Sequence, residues 1–217
     1  MHGLLLFDLD GTLLDSKKDI ALSVNYALSS TGNKELPEET IIDFVGRGLP
    51  QLIGDCLNSS ERDPVQTVVE AFWTHYQEHL LDHSQLYPGV LDFLQQDQHH
   101  KKAVVTNKPY AFSKKILEEL NISHHFDWLI GGDSLPIQKP DAGILKPILD
   151  DLKRKGLSTQ KILMVGDSKI DIDTGKNAGI QTCGVTYGLR PRQELVDCQP
   201  DYLIENFGEF SKIGFFQ

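Results

Sequence analysis

Gly3-Leu4-Leu5-Leu6-Phe7-Asp8-Leu9-Asp10-Gly11-Thr12 is the stretch from which the rest of this chain is read. The apolar run 3–7 is short and ends at a Gly-containing turn, which predicts a buried strand. Two carboxylates two residues apart at the exit of that strand repel one another, and packing them is costly without a cation or donor nearby. They make chemical sense if one is a nucleophile, the other a proton carrier, and a divalent ion neutralises the site. A solvated strand end is the bland alternative, and the remainder of the chain argues against it.

From residue 87 onward, apolar runs alternate with helical patterns. Ala103-Val104-Val105 leads to Thr106-Asn107 and an amphipathic stretch from Ala111 to Leu120. Trp128-Leu129-Ile130 leads to Gly131-Gly132, then a helix near Ile144 to Lys155. Ile162-Leu163-Met164-Val165 leads to Gly166-Asp167, then a helix through Asp171 to Ala178 that Gly179 closes. Gln181 to Thr186 and Tyr202 to Ile204 read as two more strands. Strand followed by helix, repeated, is the signature of an α/β fold with a parallel sheet covered on both faces, a Rossmann-like core. Residues 16–86 break that rhythm. Ser16 is placed to cap a helix running to Ser30 with Gly32 as its stop, Pro37-Glu38-Glu39 opens a second, and Asp63-Pro64 starts a third reaching Leu81. With no strand expected in between, the reading is a core domain of residues 1–15 and 87–217 with a helical cap domain, 16–86, inserted after the first strand.

Composition narrows the function classes. The 217 residues carry 31 acidic and 21 basic side chains, a net charge of −10, which argues against a nucleic-acid partner. A small phosphorylated ligand stays compatible, because local positive charge and a metal can dominate a pocket. No apolar run approaches a membrane span, and Met1 stands so close to the first strand that no cleaved leader is expected. Cys56, Cys183 and Cys198 are odd in number and lack metal-like spacing, so they read as reduced thiols of a cytoplasmic protein.

In open parallel sheets functional groups gather at the carboxyl ends of the strands. Here those ends carry Asp8 and Asp10, Thr106 and Asn107, and Asp167, while Lys139-Pro140 lies in the loop after the third strand. Asp8-Leu9-Asp10-Gly11-Thr12, Val105-Thr106-Asn107, Lys139-Pro140 and Val165-Gly166-Asp167-Ser168 with Asp171 resemble the four ordered motifs of the haloacid dehalogenase superfamily, over essentially the whole chain. That resemblance implies a HAD-type phosphatase: Asp8 as the nucleophile that forms an aspartyl-phosphate, and Asp10 as the acid and then the base. Members that break carbon–halogen bonds typically lack the second Asp. Thr106 and Lys139 are implied as donors to the phosphoryl oxygens. Mg²⁺ is the implied cofactor, held by Asp8, Asp167 and the backbone carbonyl of Asp10. Asp171 is expected to support Lys139 or a metal-bound water, or simply to supply charge at a helix N-terminus. Gly11 is expected to offer backbone amides to phosphate, with Asn107 also at the substrate. Asp173 matches no motif position and reads as a helix-surface acid. Asp141, where many relatives have His, is expected to cap the helix that follows.

Within the superfamily the chain most resembles the phosphoglycolate phosphatases, through Thr106-Asn107-Lys108-Pro109, Ile130-Gly131-Gly132-Asp133, Thr186-Tyr187-Gly188 and the cap segment Val45-Gly46-Arg47-Gly48-Leu49-Pro50. Arg47, flanked by glycines, is expected to pair with a substrate carboxylate, with a surface arginine in a helix-joining loop as the other reading. A mutase of the β-phosphoglucomutase kind would carry a His where Ile20 stands. Lys17, Lys18 and Lys34 lack the context of a Schiff-base lysine. Pyrophosphate, nucleoside monophosphates and sugar phosphates such as N-acetylmuramate 6-phosphate stay open as substrates, as does a non-catalytic binding protein on the same fold. The expected partner is a small phosphorylated metabolite, with no nucleic acid and no membrane, and the chain is expected as a monomer or homodimer.

Overall fold

Each of Leu4, Leu5, Leu6 and Phe7 is fully inaccessible to solvent, because this strand lies in the middle of a parallel sheet whose two faces are both covered. The computed structural model describes residues 3–59, 61–157 and 161–216. In chain order the elements are β1 (Leu4–Phe7), β2 (Leu14–Asp15), α1 (Lys17–Ser30), α2 (Glu38–Phe44), α3 (Leu49–Leu57), α4 (Arg62–Tyr76), β3 (Gln85–Leu86), α5 (Val90–Gln96), β4 (Lys101–Val105) and α6 (Tyr110–Glu119). They continue with β5 (Trp128–Ile130), α7 (Lys146–Arg154), β6 (Ile162–Gly166), α8 (Lys169–Asn177), β7 (Gln181–Val185), α9 (Arg192–Cys198) and β8 (Tyr202–Ile204).

The sheet has six strands in the order β5-β4-β1-β6-β7-β8, all parallel. Phe7 is in register with Val104 of β4 on one side and Val165 of β6 on the other. The three strands therefore end level, and the residues that follow them face one crevice. Leu4 and Leu6 pack with Met164, Ile148 and Leu152 on one face, whereas Leu5 and Phe7 meet Val104, Phe207 and Phe210 on the other. Burying a side chain of this size contributes about 1.5–3 kcal/mol. All three cysteines are free thiols, and among the described residues no helix is long and apolar enough to cross a membrane.

Between β2 and β3 the chain forms four helices. Ile20, Val24, Ala27 and Leu28 line the buried face of α1, and Val68, Phe72 and Tyr76 that of α4, the spacing of amphipathic helices. β2 and β3 pair antiparallel, Leu14 opposite Leu86 and Asp15 opposite Gln85. Asp19, buried at the start of α1, accepts the backbone N–H groups of His83 (2.9 Å) and Ser84 (2.8 Å) and the Ser84 hydroxyl (2.7 Å), which locks the two ends of the helical segment side by side.

Several local expectations differ. Ser16 does not cap α1; its hydroxyl donates to Asp10 Oδ1 at 2.6 Å instead. The helix expected to reach Leu81 ends at Tyr76. α3 occupies residues for which no helix was expected: Gly48 (φ +88°) precedes it and Pro50 sits in its first turn, where a missing N–H costs nothing. β3 lies inside the stretch expected to hold no strand. Asp141 caps as expected, accepting the Gly143 N–H at 2.8 Å, although the turn it caps is a 3-10 turn ahead of α7.

Candidate active site

Asp8, immediately after β1, is held by its own backbone N–H, which donates to the Val165 carbonyl at 2.9 Å. Its carboxylate meets the Lys139 ammonium at 2.8 Å, and the same ammonium reaches Asp171 Oδ1 at 2.6 Å. All three groups are buried. Burial alone would strip the charge from Lys139, but Asp171 and Asp8 outweigh it and hold the ammonium above the ordinary lysine range. For Asp8 the balance goes the other way. Burial, with Asp171 and Asp10 nearby, outweighs Lys139 and raises its carboxyl to about 6. Asp167, after β6, is pushed well above the usual carboxylate range by burial and by the charges of Asp171 and Asp8.

Asp8, Asp167 and Asp171 each present a carboxylate oxygen within 4.8 Å of one another. Asp171 is already committed: its second oxygen accepts the Ser168 N–H (3.1 Å) and hydroxyl (2.6 Å), a reciprocal cap at the start of α8. Support for Lys139 and a helix-start charge are thus both true of Asp171. Asp8 and Asp167 remain as the oxygens with excess negative charge. A hard, oxygen-preferring divalent cation fits that donor set.

Asp10 stands apart from that cluster. Its carboxylate receives the Lys108 ammonium at 3.0 and 3.1 Å and the Ser16 hydroxyl. Lys108, a residue with no expected role, also donates to the Tyr76 hydroxyl at 2.7 Å and lies 4.6 Å from the centre of that ring. Its only signal in the sequence is its place in Thr106-Asn107-Lys108-Pro109. Thr106 follows β4 and lines the crevice; its hydroxyl oxygen accepts the Lys108 N–H at 3.2 Å, leaving the hydroxyl proton for a ligand.

Three expected substrate contacts take other places. Gly11 gives its N–H to the Leu14 carbonyl at 2.8 Å, so that amide does not serve phosphate. Its φ of +84° and the 2.2 Å that would separate a Cβ from Asp167 Oδ2 show why no larger residue stands there. Asn107 acts as a brace: its carboxamide oxygen accepts the Lys139 N–H (2.9 Å), and its amide donates to the carbonyls of Lys139 (3.0 Å) and Gly46 (2.9 Å). Arg47 points away from the crevice and pairs with Asp55 at 2.7 Å, its side chain 54% exposed. The arginine that does line the crevice is Arg190, in the loop after β7. Its guanidinium donates to the carbonyls of Ile42, Asp43 and Val45 at the end of α2. Opposite the carboxylates the crevice is walled by apolar side chains, among them Ile20, Leu52, Phe72 and Phe112.

Four carboxylates, two buried lysines and a threonine hydroxyl gathered at the ends of the strands suit displacement at a phosphorus centre. Comparison with known proteins agrees. Residues 5–185 match the family of haloacid dehalogenase-like hydrolases. A phosphoglycolate phosphatase of Haemophilus influenzae is 36% identical over 217 residues, covering 95% of this chain and 96% of its relative. One from Vibrio cholerae is 36% identical over 222 residues, covering 97% and 96%. A crystal structure of a predicted phosphoglycolate phosphatase from Haemophilus somnus superposes with a TM-score of 0.88 at 32% identity, covering 97% of each chain. With a family match over residues 5–185, relatives aligned along nearly their whole length and a fold that superposes, this chain belongs to the haloacid dehalogenase-like hydrolases and is a phosphatase of that family.

Proposed function

We propose that this protein hydrolyses a phosphate monoester through an aspartyl-phosphate on Asp8, uses Mg²⁺, and takes 2-phosphoglycolate as its preferred substrate in the cytoplasm. An Asp8 oxygen bonds to phosphorus as the bond from phosphorus to the ester oxygen breaks, and Asp10 gives that oxygen its proton. Water then attacks phosphorus and yields a proton to Asp10, the bond to Asp8 breaks, and inorganic phosphate leaves. Thr106 and Lys139 donate to the phosphoryl oxygens, where charge spreads in the transition state. Asp8 and Asp167, with the Asp10 backbone carbonyl, would hold the Mg²⁺, whose charge offsets that of the clustered carboxylates and the phosphate.

The observation that carries this reading is the buried Asp8–Lys139–Asp171 triad beside Asp167, where burial and neighbouring negative charge make ionising both Asp8 and Asp167 costly until a cation is bound. The choice of substrate is supported by relatives named phosphoglycolate phosphatase that align along nearly their whole length. Residues 16–86 act as the cap, and their apolar wall keeps water from the phosphoryl group. The test is phosphate release from a panel of metabolite phosphates, with Mg²⁺ and with chelator. The expected result is that 2-phosphoglycolate leads by kcat/KM and chelator silences it. A different leading ester would retain the chemistry and overturn the substrate.

A further inference from the structure

A substrate carrying a carboxylate needs a cation in the crevice to recognise it. Among the described residues lining the crevice the cations are Lys108, Lys139 and Arg190. Lys139 bridges Asp8 and Asp171 and its remaining donor is assigned to the phosphoryl oxygens, while Arg190 spends three of its five N–H donors on the backbone carbonyls at the end of α2. Of the three, Lys108 is the one paired with Asp10. An ammonium has three N–H donors; with one shared between the two Asp10 oxygens and one given to Tyr76, the third is left for an anion.

We infer that Lys108 is the specificity-determining residue that binds the leaving group's carboxylate, selecting phosphate esters of short 2-hydroxy acids. This rests on the 2-phosphoglycolate reading and assigns that substrate's recognition to one side chain. The ester oxygen must come within hydrogen-bond reach of Asp10 to receive its proton. Lys108 Nζ stands 3.0 and 3.1 Å from the two Asp10 oxygens, so it lies beside the ester oxygen as well. In phosphoglycolate a single methylene separates that oxygen from the carboxylate. The anion therefore falls next to the same ammonium, whereas a longer acid would carry its charge past it into the apolar wall. The Lys108 side chain is 5% exposed, and the Tyr76 ring and the apolar side chains around it lower the local dielectric, which strengthens a direct ion pair and penalises a carboxylate left unpaired.

The experiment compares 2-phosphoglycolate with 2-phosphoglycolamide, an isostere whose carboxylate is replaced by a neutral carboxamide, using wild type, Lys108→Gln and Lys108→Arg. Lys108→Gln is expected to lower the acid-to-amide ratio of kcat/KM by about tenfold or more, through KM chiefly, and Lys108→Arg to keep most of it. Equal losses on both esters would show that Lys108 only positions Asp10, and would overturn the inference. A wild type that prefers the acid together with a Lys108→Gln that keeps that preference would also overturn it, leaving the substrate reading intact. A wild type with no preference for the acid would overturn both. Should Lys108→Gln fail to fold, Asp10→Asn and Asp10→Asn/Lys108→Met, which leave no unpaired carboxylate, are compared by thermal shift. The extra Tm gain from the acid over the amide is expected in the first and not in the second; its survival in the second would overturn the inference.

Discussion

Replacing Asp8 by asparagine keeps the shape of the side chain and removes the carboxylate proposed as the nucleophile, so turnover is expected to fall by about three orders of magnitude or more while far-UV circular dichroism stays unchanged. The same residue sets a pH dependence. Its carboxyl is raised from the ordinary 3.8 to about 6 by burial, so between those values the folded, metal-free protein binds more protons than the unfolded chain. Stability from Asp8 is then complete below about pH 4 and is lost as pH rises through 6, about 3 kcal/mol in all at roughly 1.4 kcal/mol for each pH unit crossed. A divalent cation bound at Asp8 and Asp167 is expected to reverse that loss. The Tm gain from Mg²⁺ is expected to be larger at pH 7 than at pH 5, and Asp8→Asn to reduce the fall of the metal-free Tm across that range, with Asp167 accounting for what remains. The acids at the strand ends were readable in the sequence because each directly follows an apolar run. Lys108 was not: its partners are Asp10, 98 residues away, and Tyr76, 32 away, and no local pattern records such a meeting. Arg47 had the local context of a substrate ligand, yet Asp55 on the neighbouring helix was nearer.

Loops between elements carry tight constraints as well. Gly188, in the turn between β7 and α9, would place a Cβ 2.3 Å from the Asp167 Cβ and 2.4 Å from the Gly11 carbonyl oxygen. Neither neighbour is a flexible side-chain tip, so Gly188→Ala is expected to destabilise by about 1–3 kcal/mol and to abolish the Mg²⁺-induced Tm gain, both measurable by thermal unfolding. The central strands β1, β4 and β6 were legible because parallel strands buried on both faces are near-continuous apolar runs. α3 was hidden by the glycines at 46 and 48 and the proline at 50, which signal a loop to a local reading but here only start a helix. β2 and β3, two residues each, are too short for any periodicity to show. Their pairing comes from the Asp19 carboxylate and the strand ends it holds, which are contacts across the chain.

Across the whole molecule, the helical segment and the sheet are tied at the crevice by Arg190, through the carbonyls at the end of α2, and by Asn107, through Gly46. Both ties are polar and involve residues that line the crevice, which suits the lid role proposed for residues 16–86. Arg190→Ala is expected to raise amide hydrogen exchange across residues 38–57, with β1 and β6 unaffected; unchanged exchange in 38–57 would place the closing contact elsewhere. The β2–β3 ribbon has a different consequence. Because Leu14 faces Leu86 and Asp19 holds Ser84, the helical segment leaves and rejoins the sheet at one point, as the arm of a hairpin does. To the sheet it is a detour of zero span, and loop-closure cost grows only slowly with the length of such a detour. The segment is therefore an exchangeable module: grafting the corresponding helices of a relative onto this ribbon should change what is hydrolysed without changing how the sheet folds.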